Sequence, residues 1–414
     1  MNMLKLLGRY LAAKPLNTFL NILLLGLGIA VITVLILFRN QLEHRITENS
    51  RGIDLVIGAK GSPLQLILCN IFHIDFPTGN IKLAEAERIS KHRLIKKAIP
   101  LALGDSYKEF RIIGTTRSYT ELYDLTLASG AWWSTDMEVN VGARVASTLN
   151  LTVGDHFSST HGLSAEGHSH EENHFVVKGI FDWSNTVADN LILTNVESVW
   201  KVHDVHVNGG RTLMDTTSVE KSRLVPSVAA NDSLKEITSL LVQYRSPMGA
   251  LQLPRYVNSQ SSMQAASPAF ETARLFSILG AGIEMISAFA AILIFISALS
   301  IFIALYNALK ERRYDLAIMR TMGATKRKLF VVVILEGISI TFAGAFVGML
   351  LGHLFLSIAS KALVDLQNVG LSGFVFYEEE AIIMTGSLLL GIVCSVIPAL
   401  QIYRTDISET LAGN

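Results

Sequence analysis

Seven of the 11 histidines fall between His156 and His206, and five of those lie within His156 to His174. His161, the pair His168-Ser169-His170, and His174 four residues further on offer imidazole nitrogens of the kind that zinc, nickel and copper all accept. Gly162, Ser164, Gly167 and Ser169 make the connecting chain a flexible loop, so the spacing specifies no fixed tetrahedral set. Two readings stand side by side: a transition-metal tract, with zinc as the leading ion, and a solvated polar loop.

A second chemically loaded stretch runs from Lys310 to Lys328. It carries Lys310, Arg312, Arg313, Arg320, Lys326, Arg327 and Lys328 against only Glu311 and Asp315. Leu309, Leu316, Met319 and Met322 fall at near-helical spacing among these charges, and Gly323 marks a helix stop. Such a helix suits either the anionic surface of a membrane or a groove on a cytoplasmic partner. Elsewhere no nucleophile–base constellation or fixed metal triad stands out, which ranks a membrane-bound enzyme last and makes the chain a non-catalytic subunit. A phosphate-cradling loop of the G-x-x-x-x-G-K-[S/T] kind needs a Gly-Lys pair, and the chain has no such dipeptide. ATP chemistry is therefore expected in another polypeptide.

The elements that must position these residues are largely apolar. Half of the chain is hydrophobic and only 17% is charged, well under the roughly 25% of ordinary soluble domains. The deficit comes from four runs, each long enough for the ~20 residues that cross a bilayer. They are Pro15 to Phe38, Met285 to Leu309, Leu329 to Ser360 (interrupted by Glu336 and His353) and Ala381 to Tyr403. Lys5, Arg9 and Lys14 precede the first run, but its apolar core exceeds a secretory signal and no small-residue cleavage site follows, so it reads as an uncleaved anchor. Net charge is zero, which gives no global field for nucleic acid. Cys69 and Cys394 lie in different regions and imply no disulfide framework.

Lys and Arg concentrate in the loop between the second and third runs, whereas the loop between the third and fourth carries Lys361 against Asp365, Glu378, Glu379 and Glu380. Cytoplasmic loops hold the excess of Lys and Arg, so both termini face the cytoplasm. The expected order is a cytoplasmic N-terminus (1–14), a first span (15–38), an extracytoplasmic α+β domain (39–276), a stalk and second span (277–309) and a basic loop (310–328). A third span (329–360), an outer loop (361–380), a fourth span (381–403) and a cytoplasmic tail (404–414) complete it. Within the domain, strands are expected at Ile53 to Ile57, Phe110 to Ile113, Val139 to Val141, Phe175 to Phe181 and Leu191 to Leu193. Leu83 to Ile95 reads as an amphipathic helix, and Val207 to Asp232 as a weakly patterned polar insertion. Phe270 to Leu279 reads as a helix that continues into the second span. In the third run, Gly337, Gly344, Gly348 and Gly352 recur on one helical face, the arrangement that lets helices approach closely in lipid, within one protomer or across a dimer. Glu336 suits a structural role, an ion pair with the basic loop or a place at the subunit interface, better than transport chemistry.

Glu311-Arg312-Arg313, followed by Ile318-Met319-Arg320-Thr321-Met322-Gly323-Ala324, resembles the signature of MacB-like and FtsX-like permeases. Glu336-Gly337 and the closing Pro398-Ala399, Arg404 and Leu411 are similar to further motifs of that family, although Asp406-Ile407 stands where an Asp-Pro-type pair is usual. Asp54 to Gln65, with His73, Asp75, Pro77 and Gly79-Asn80-Ile81, resembles a subgroup feature to which no role is attached. The resemblance implies a stand-alone permease without a fused ATPase: one span, a large extracytoplasmic domain, then three spans. It further implies that Glu311, Arg312, Arg313, Arg320, Met322, Gly323 and Ala324 belong to a coupling helix seated on a cytoplasmic ABC ATPase that carries ATP and Mg. A second permease protomer, a periplasmic partner and location in the bacterial inner membrane are implied in the same way. The expected function is mechanotransmission for export or release of an envelope substrate. The alternatives are a zinc-linked version of the same machine and a non-transporting FtsX-like regulator.

Overall fold

The computed structural model describes residues 8–9, 12, 14–74, 76–160, 169–209, 235–362 and 370–404, with side chains at 160, 169–173, 203–209, 313 and 402–404 left aside. The chain divides into two compact units, His44–Ser277 and a second formed by Met1–Glu43 with Ile278–Asn414.

The elements run in order α1 (Pro15–Asn49), β1 (Leu55–Ala59), α2 (Pro63–Asn70), β2 (Ile81–Lys82), α3 (Leu83–Ser90), β3 (Ile95–Tyr107), β4 (Phe110–Thr115), α4 (Arg117–Leu122), β5 (Leu127–Gly130) and β6 (Glu138–Val141). There follow α5 (Ala143–Leu149), β7 (His156–Thr160), β8 (Ser169–Phe181), β9 (Leu191–Asn195), α6 (Val196–Gly209), β10 (Glu236–Ile237), β11 (Ser239–Tyr244), α7 (Met248–Gln260) and β12 (Met263–Ala266). The chain then forms α8 (Pro268–Glu311), α9 (Arg313–Thr321), α10 (Lys326–Ala362) and α11 (Glu378–Arg404).

The large domain is built on a ten-stranded sheet in the order β12-β1-β11-β3-β4-β9-β6-β8-β5, with β7 bridging β3 and β8. Among the described residues, only β4–β9 and β6–β8 pair in parallel. Successive strand residues point to opposite faces, and here both faces are covered. Leu55 and Ile57 join one core with Leu240, Val242 and Leu253, while Val56 between them joins another with Ile67, Leu101 and Leu241. Covering both faces explains why these strands read as continuous apolar runs rather than alternating ones.

Four of the five expected strands contain their predicted cores. The first is shifted: it starts at Leu55 and runs through Gly58, which is tolerated because Leu66 of α2 packs where a side chain would stand. The expected helix from Leu83 ends at Ser90, and Ile95 begins the 13-residue β3. The amphipathic pattern crosses that boundary because Ile89 and Ile95 are both buried in the same core. Val207 to Gly209 extend α6, and the rest of the polar insertion lies outside the described residues.

The unassigned motif after the first span folds back on itself. Ser62 caps α2 by accepting from Gln65 N, Gln65 Nε2 donates to Phe76 O, and Thr78 Oγ1 donates to Ala59 O. Gly61 N donates to Gln264 Oε1, and Asn70 Oδ1 accepts from Ser239 Oγ at 2.6 Å. His73, in the left-handed region at φ 55°, lies 3.2 Å through Nε2 from Tyr119 Oη. Beside it Tyr123 Oη donates to Asn49 O, and Asn49 Oδ1 accepts from Val187 N. The motif thus belongs to a polar chain on the end of α1. Asp75 lies outside the described residues.

Four helices, α1, α8, α10 and the Glu378–Gln401 part of α11, are long and apolar enough to cross a membrane. They contain the four apolar runs, and α8 carries Phe270 to Leu279 and the second run in one helix. The glycines of α10 serve two neighbours. A side chain at Gly344 would meet Leu25, and one at Gly348 would come 2.6 Å from Gly26 O. Gly352 abuts Thr33, whereas Gly337 faces Gly391 and Ser395 of α11. This close approach is made within one protomer. Ser300 Oγ donates to Asn21 Oδ1, and Gln41 takes both backbone bonds of Ser372, satisfying polar groups that lipid cannot. Cys69 and Cys394 are both buried and neither is in a disulfide.

Burial and the nearby Arg111 charge depress the pKa of His73 to about 3, against a backbone hydrogen bond at Cys69 that raises it. The unfolded imidazole therefore takes up a proton below pH ~6.5 that the folded one refuses, so stability present above that pH is lost progressively on acidification towards 3. Asn is at ease in the left-handed region, so His73→Asn is expected to flatten the fall of Tm between about pH 6.5 and pH 4. Fluorescence-monitored melting of the full chain reads this directly, because all four tryptophans lie in the domain.

Candidate functional site

The basic stretch folds as a corner, a short helix and a stop. Arg312 is the corner. Its N–H donates to Ala308 O, closing α8, and its carbonyl accepts from Leu316 N, opening α9. One residue thus ends one helix and begins the next, with φ −92° and ψ 9°.

The helix stops in a Schellman arrangement. Ala324 N donates to Met319 O, Gly323 N donates to Arg320 O, and Gly323 takes φ +93°. A side chain at Gly323 would meet nothing within 4 Å, so glycine is there for its backbone and not for space. Ala324 packs with Leu316 and Met319 against the buried Leu309, Leu329, Val333 and Ala399, which seats α9 on the ends of its neighbours.

The expected apolar stripe is corrected by this seating. Leu309, Leu316 and Met319 face inward, but Met322 is 82% exposed. Tyr314 and Ile318 are also exposed, at 46% and 37%, so Tyr314, Ile318 and Met322 form an i, i+4, i+8 line on the outer side. From sequence, Tyr314 carried no role and Ile318 only a place in the family signature, because the charges around them are the stronger feature. Their spacing was the available signal.

The charged members part in the same way. Glu311 is exposed and pairs with Lys14 at 2.6 Å, a contact that solvent screens. Arg312 turns inward to Glu336 Oε1 at 3.5 Å, with both side chains largely buried among Leu305, Leu309, Leu316, Leu329, Val332 and Val333. The expected pairing of Glu336 with the basic loop is present. Arg320 is half-buried, and the side chain of Arg313 lies outside the described ones. Of the seven residues assigned to coupling, Met322 and Glu311 face outward, while Arg312, Gly323 and Ala324 shape the corner and the stop.

His161 and His168 lie outside the described residues, as does the side chain of His170. Residues 169–174 belong to β8, paired with β7, where a flexible loop was expected. His174 Nδ1 lies 3.0 Å from Ser158 Oγ. Among the described residues, no three His, Cys, Asp or Glu side chains gather as a metal site.

At the far end of α10, His353 Nδ1–H donates to Gly373 O at 2.7 Å and Nε2 lies 2.9 Å from Glu380 Oε2. Glu380 Oε1 also accepts from Tyr377 N, so its carboxylate closes the first turn of α11. A cavity of about 490 Å³ opens beside this pair, walled by Phe346, Leu350, Phe374, Phe376 and Met384.

Because Gly323 is needed only for its backbone, Gly323→Ala introduces left-handed strain of about 1–2 kcal/mol. Faster amide exchange over 313–324 is the expected result, with Met322→Ala leaving that exchange unchanged.

Comparison with known proteins follows this division of the chain. Residues 18–214 match the family model of the MacB-like periplasmic core domain, and residues 287–407 match that of the FtsX-like permease C-terminal region. An uncharacterised ABC transporter permease of Methanocaldococcus jannaschii is 23% identical over 137 residues, 33% of this chain and 34% of the relative. The chain therefore spans about a third of that relative's length. The periplasmic region of MacB from Actinobacillus actinomycetemcomitans aligns at 15% identity and TM-score 0.32, over 56% of this chain and 97% of that one. The extracellular domain of the ABC-type transporter YknZ from Gram-positive bacteria aligns at 10% identity and TM-score 0.29, over 52% and 99%. With two family models tiling the domain and the later spans, the chain belongs to the MacB-like and FtsX-like ABC transporter permeases, multi-pass membrane proteins with four spans and an extracytoplasmic α+β domain inserted after the first.

Proposed function

We propose that this permease couples ATP hydrolysis by a separate cytoplasmic ABC ATPase to movement of its extracytoplasmic domain, driving export or release of an envelope substrate by mechanotransmission. The observation that carries the reading is the exposed Tyr314, Ile318 and Met322 line, presented by a short helix that starts at a one-residue corner, ends in a glycine stop and is seated on its neighbours. A helix lying in a groove is anchored by residues at this spacing. The excess of Lys and Arg around it supports a cytoplasmic position, with the nucleotide and Mg held by the partner. Two permease protomers, working with two ATPase subunits in the inner membrane, complete the machine.

A second reading keeps the machine and gives it a transition metal, zinc foremost, as cargo or signal. The seven histidines between 156 and 206 favour it. A non-transporting regulator of an envelope enzyme would use the same coupling helix.

A pull-down of the tagged full chain from detergent-solubilised native membranes tests the first reading. An ABC ATPase is expected with wild type and at least ~10-fold less with Ile318→Glu/Met322→Glu, a loss of about 1.4 kcal/mol or more in docking. Recovery of no ATPase with wild type would refute it. Zinc stimulation of the recovered ATPase activity would move the weight to the metal reading.

A further inference from the structure

We infer that Glu336 is a positioning residue for coupling: through its buried pair with Arg312 it sets the direction in which α9 is presented to the ATPase. This rests on the coupling role proposed above.

Three observations converge on it. First, the joint between α8 and α9 is a single residue, Arg312, whose N–H and carbonyl are both committed to the flanking helices. No slack chain separates them, so whatever holds Arg312 holds the direction of α9. Second, the Arg312 side chain is only 15% exposed and that of Glu336 9%, and apolar side chains wall the pair. A carboxylate inside a spanning helix is costly, and a buried ion pair is often no more stable than apolar residues of the same volume. Stability therefore does not account for the pair, whereas fixing one register does. Third, Gly337, the next residue of α10, packs directly on α11, with no room for a side chain against Gly391 O and Ser395. The pair thus joins the docking helix to a tightly packed contact of the two last spans. A push on α9 is delivered to α10 and α11 together.

The exposed Lys14–Glu311 pair at the neighbouring position cannot do this. Both of its side chains are about half exposed, and such pairs contribute little under screening.

The test uses the full chain in nanodiscs with whatever ABC ATPase co-purifies from native membranes. Three variants are compared with wild type: Glu336→Gln, the apolar pair Arg312→Met/Glu336→Met, and the exchanged pair Arg312→Glu/Glu336→Arg. The apolar pair is expected to melt no lower than wild type, yet to speed amide exchange over 313–321 about tenfold and to lose most of the co-purifying ATPase. Glu336→Gln is expected to fall between the two. Partial return of slow exchange and of ATPase in the exchanged pair would show that attraction between the two groups, and not the volume of either, does the positioning. Unchanged exchange and full ATPase recovery in the apolar pair would overturn the positioning role while leaving the docking surface intact. Absence of an ATPase from wild type would overturn the coupling reading itself, and this assignment with it.

Discussion

Hydrocarbon gives helices no hydrophobic reason to associate, so the membrane unit depends on how closely its backbones can approach. The contact that matters most joins Gly337 and Gly391, where added side chains would strike Ser395 and Thr341 respectively. From there the rest follows. With α10 and α11 locked together, Gly344, Gly348 and Gly352 offer α1 a smooth face, and α1 answers with Gly26 and Ile29. Two polar groups caught in these contacts are paired, Thr341 Oγ1 on Gly337 O and Asn21 Oδ1 with Ser300 Oγ. The basic loop can then be shaped by short-range rules, because the helix ends that carry it are already fixed.

The large domain obeys the opposite rule. There the driving force is burial of apolar area, and the sheet is sandwiched so that Leu55, Val56 and Ile57 are each fully enclosed, on alternating faces. Asn140, fully buried within that core, has its amide employed at both ends: Oδ1 accepts from Trp133 N and Nδ2 donates to Ala131 O. Glu138, despite some desolvation that works the other way, has its pKa held down to about 2 by hydrogen bonds from Ser134 and Thr135 and by Lys178.

Most of the architecture was legible because each span carries its own evidence: a long apolar run needs no partner to be recognised. The order of domains, the role of Gly323 as a stop and the ion pair of Glu336 were legible for the same reason, since each is local or balances charge. What escaped needed three dimensions. The line of Tyr314, Ile318 and Met322 is visible only once Leu316 and Met319 have been turned inward, and the inward turn is set by Leu329 and Val333 from a later helix. Strands β11 and β12 escaped because Ser239–Tyr244 and Met263–Ala266 take their identity from pairing with β1, far away in sequence. The helix expected at Leu83 ran too far because β3 continues its burial pattern.

That pairing of β1 bears on how the protein is made. Leu55 hydrogen-bonds opposite Val242, and Val56 opposite Ala266, so the first strand of the domain has its neighbours roughly 190–210 residues downstream. At synthesis rates of about 5–20 residues per second, the first strand waits on the order of ten seconds or more for them. For that time an apolar strand with two bare edges, already tethered beside an inserted helix, has crossed the bilayer with nothing to pair with. Export of this chain is thus a matter of timing as much as of insertion: the edges of Leu55–Ala59 stay bare until Ser239–Tyr244 and Met263–Ala266 have been made.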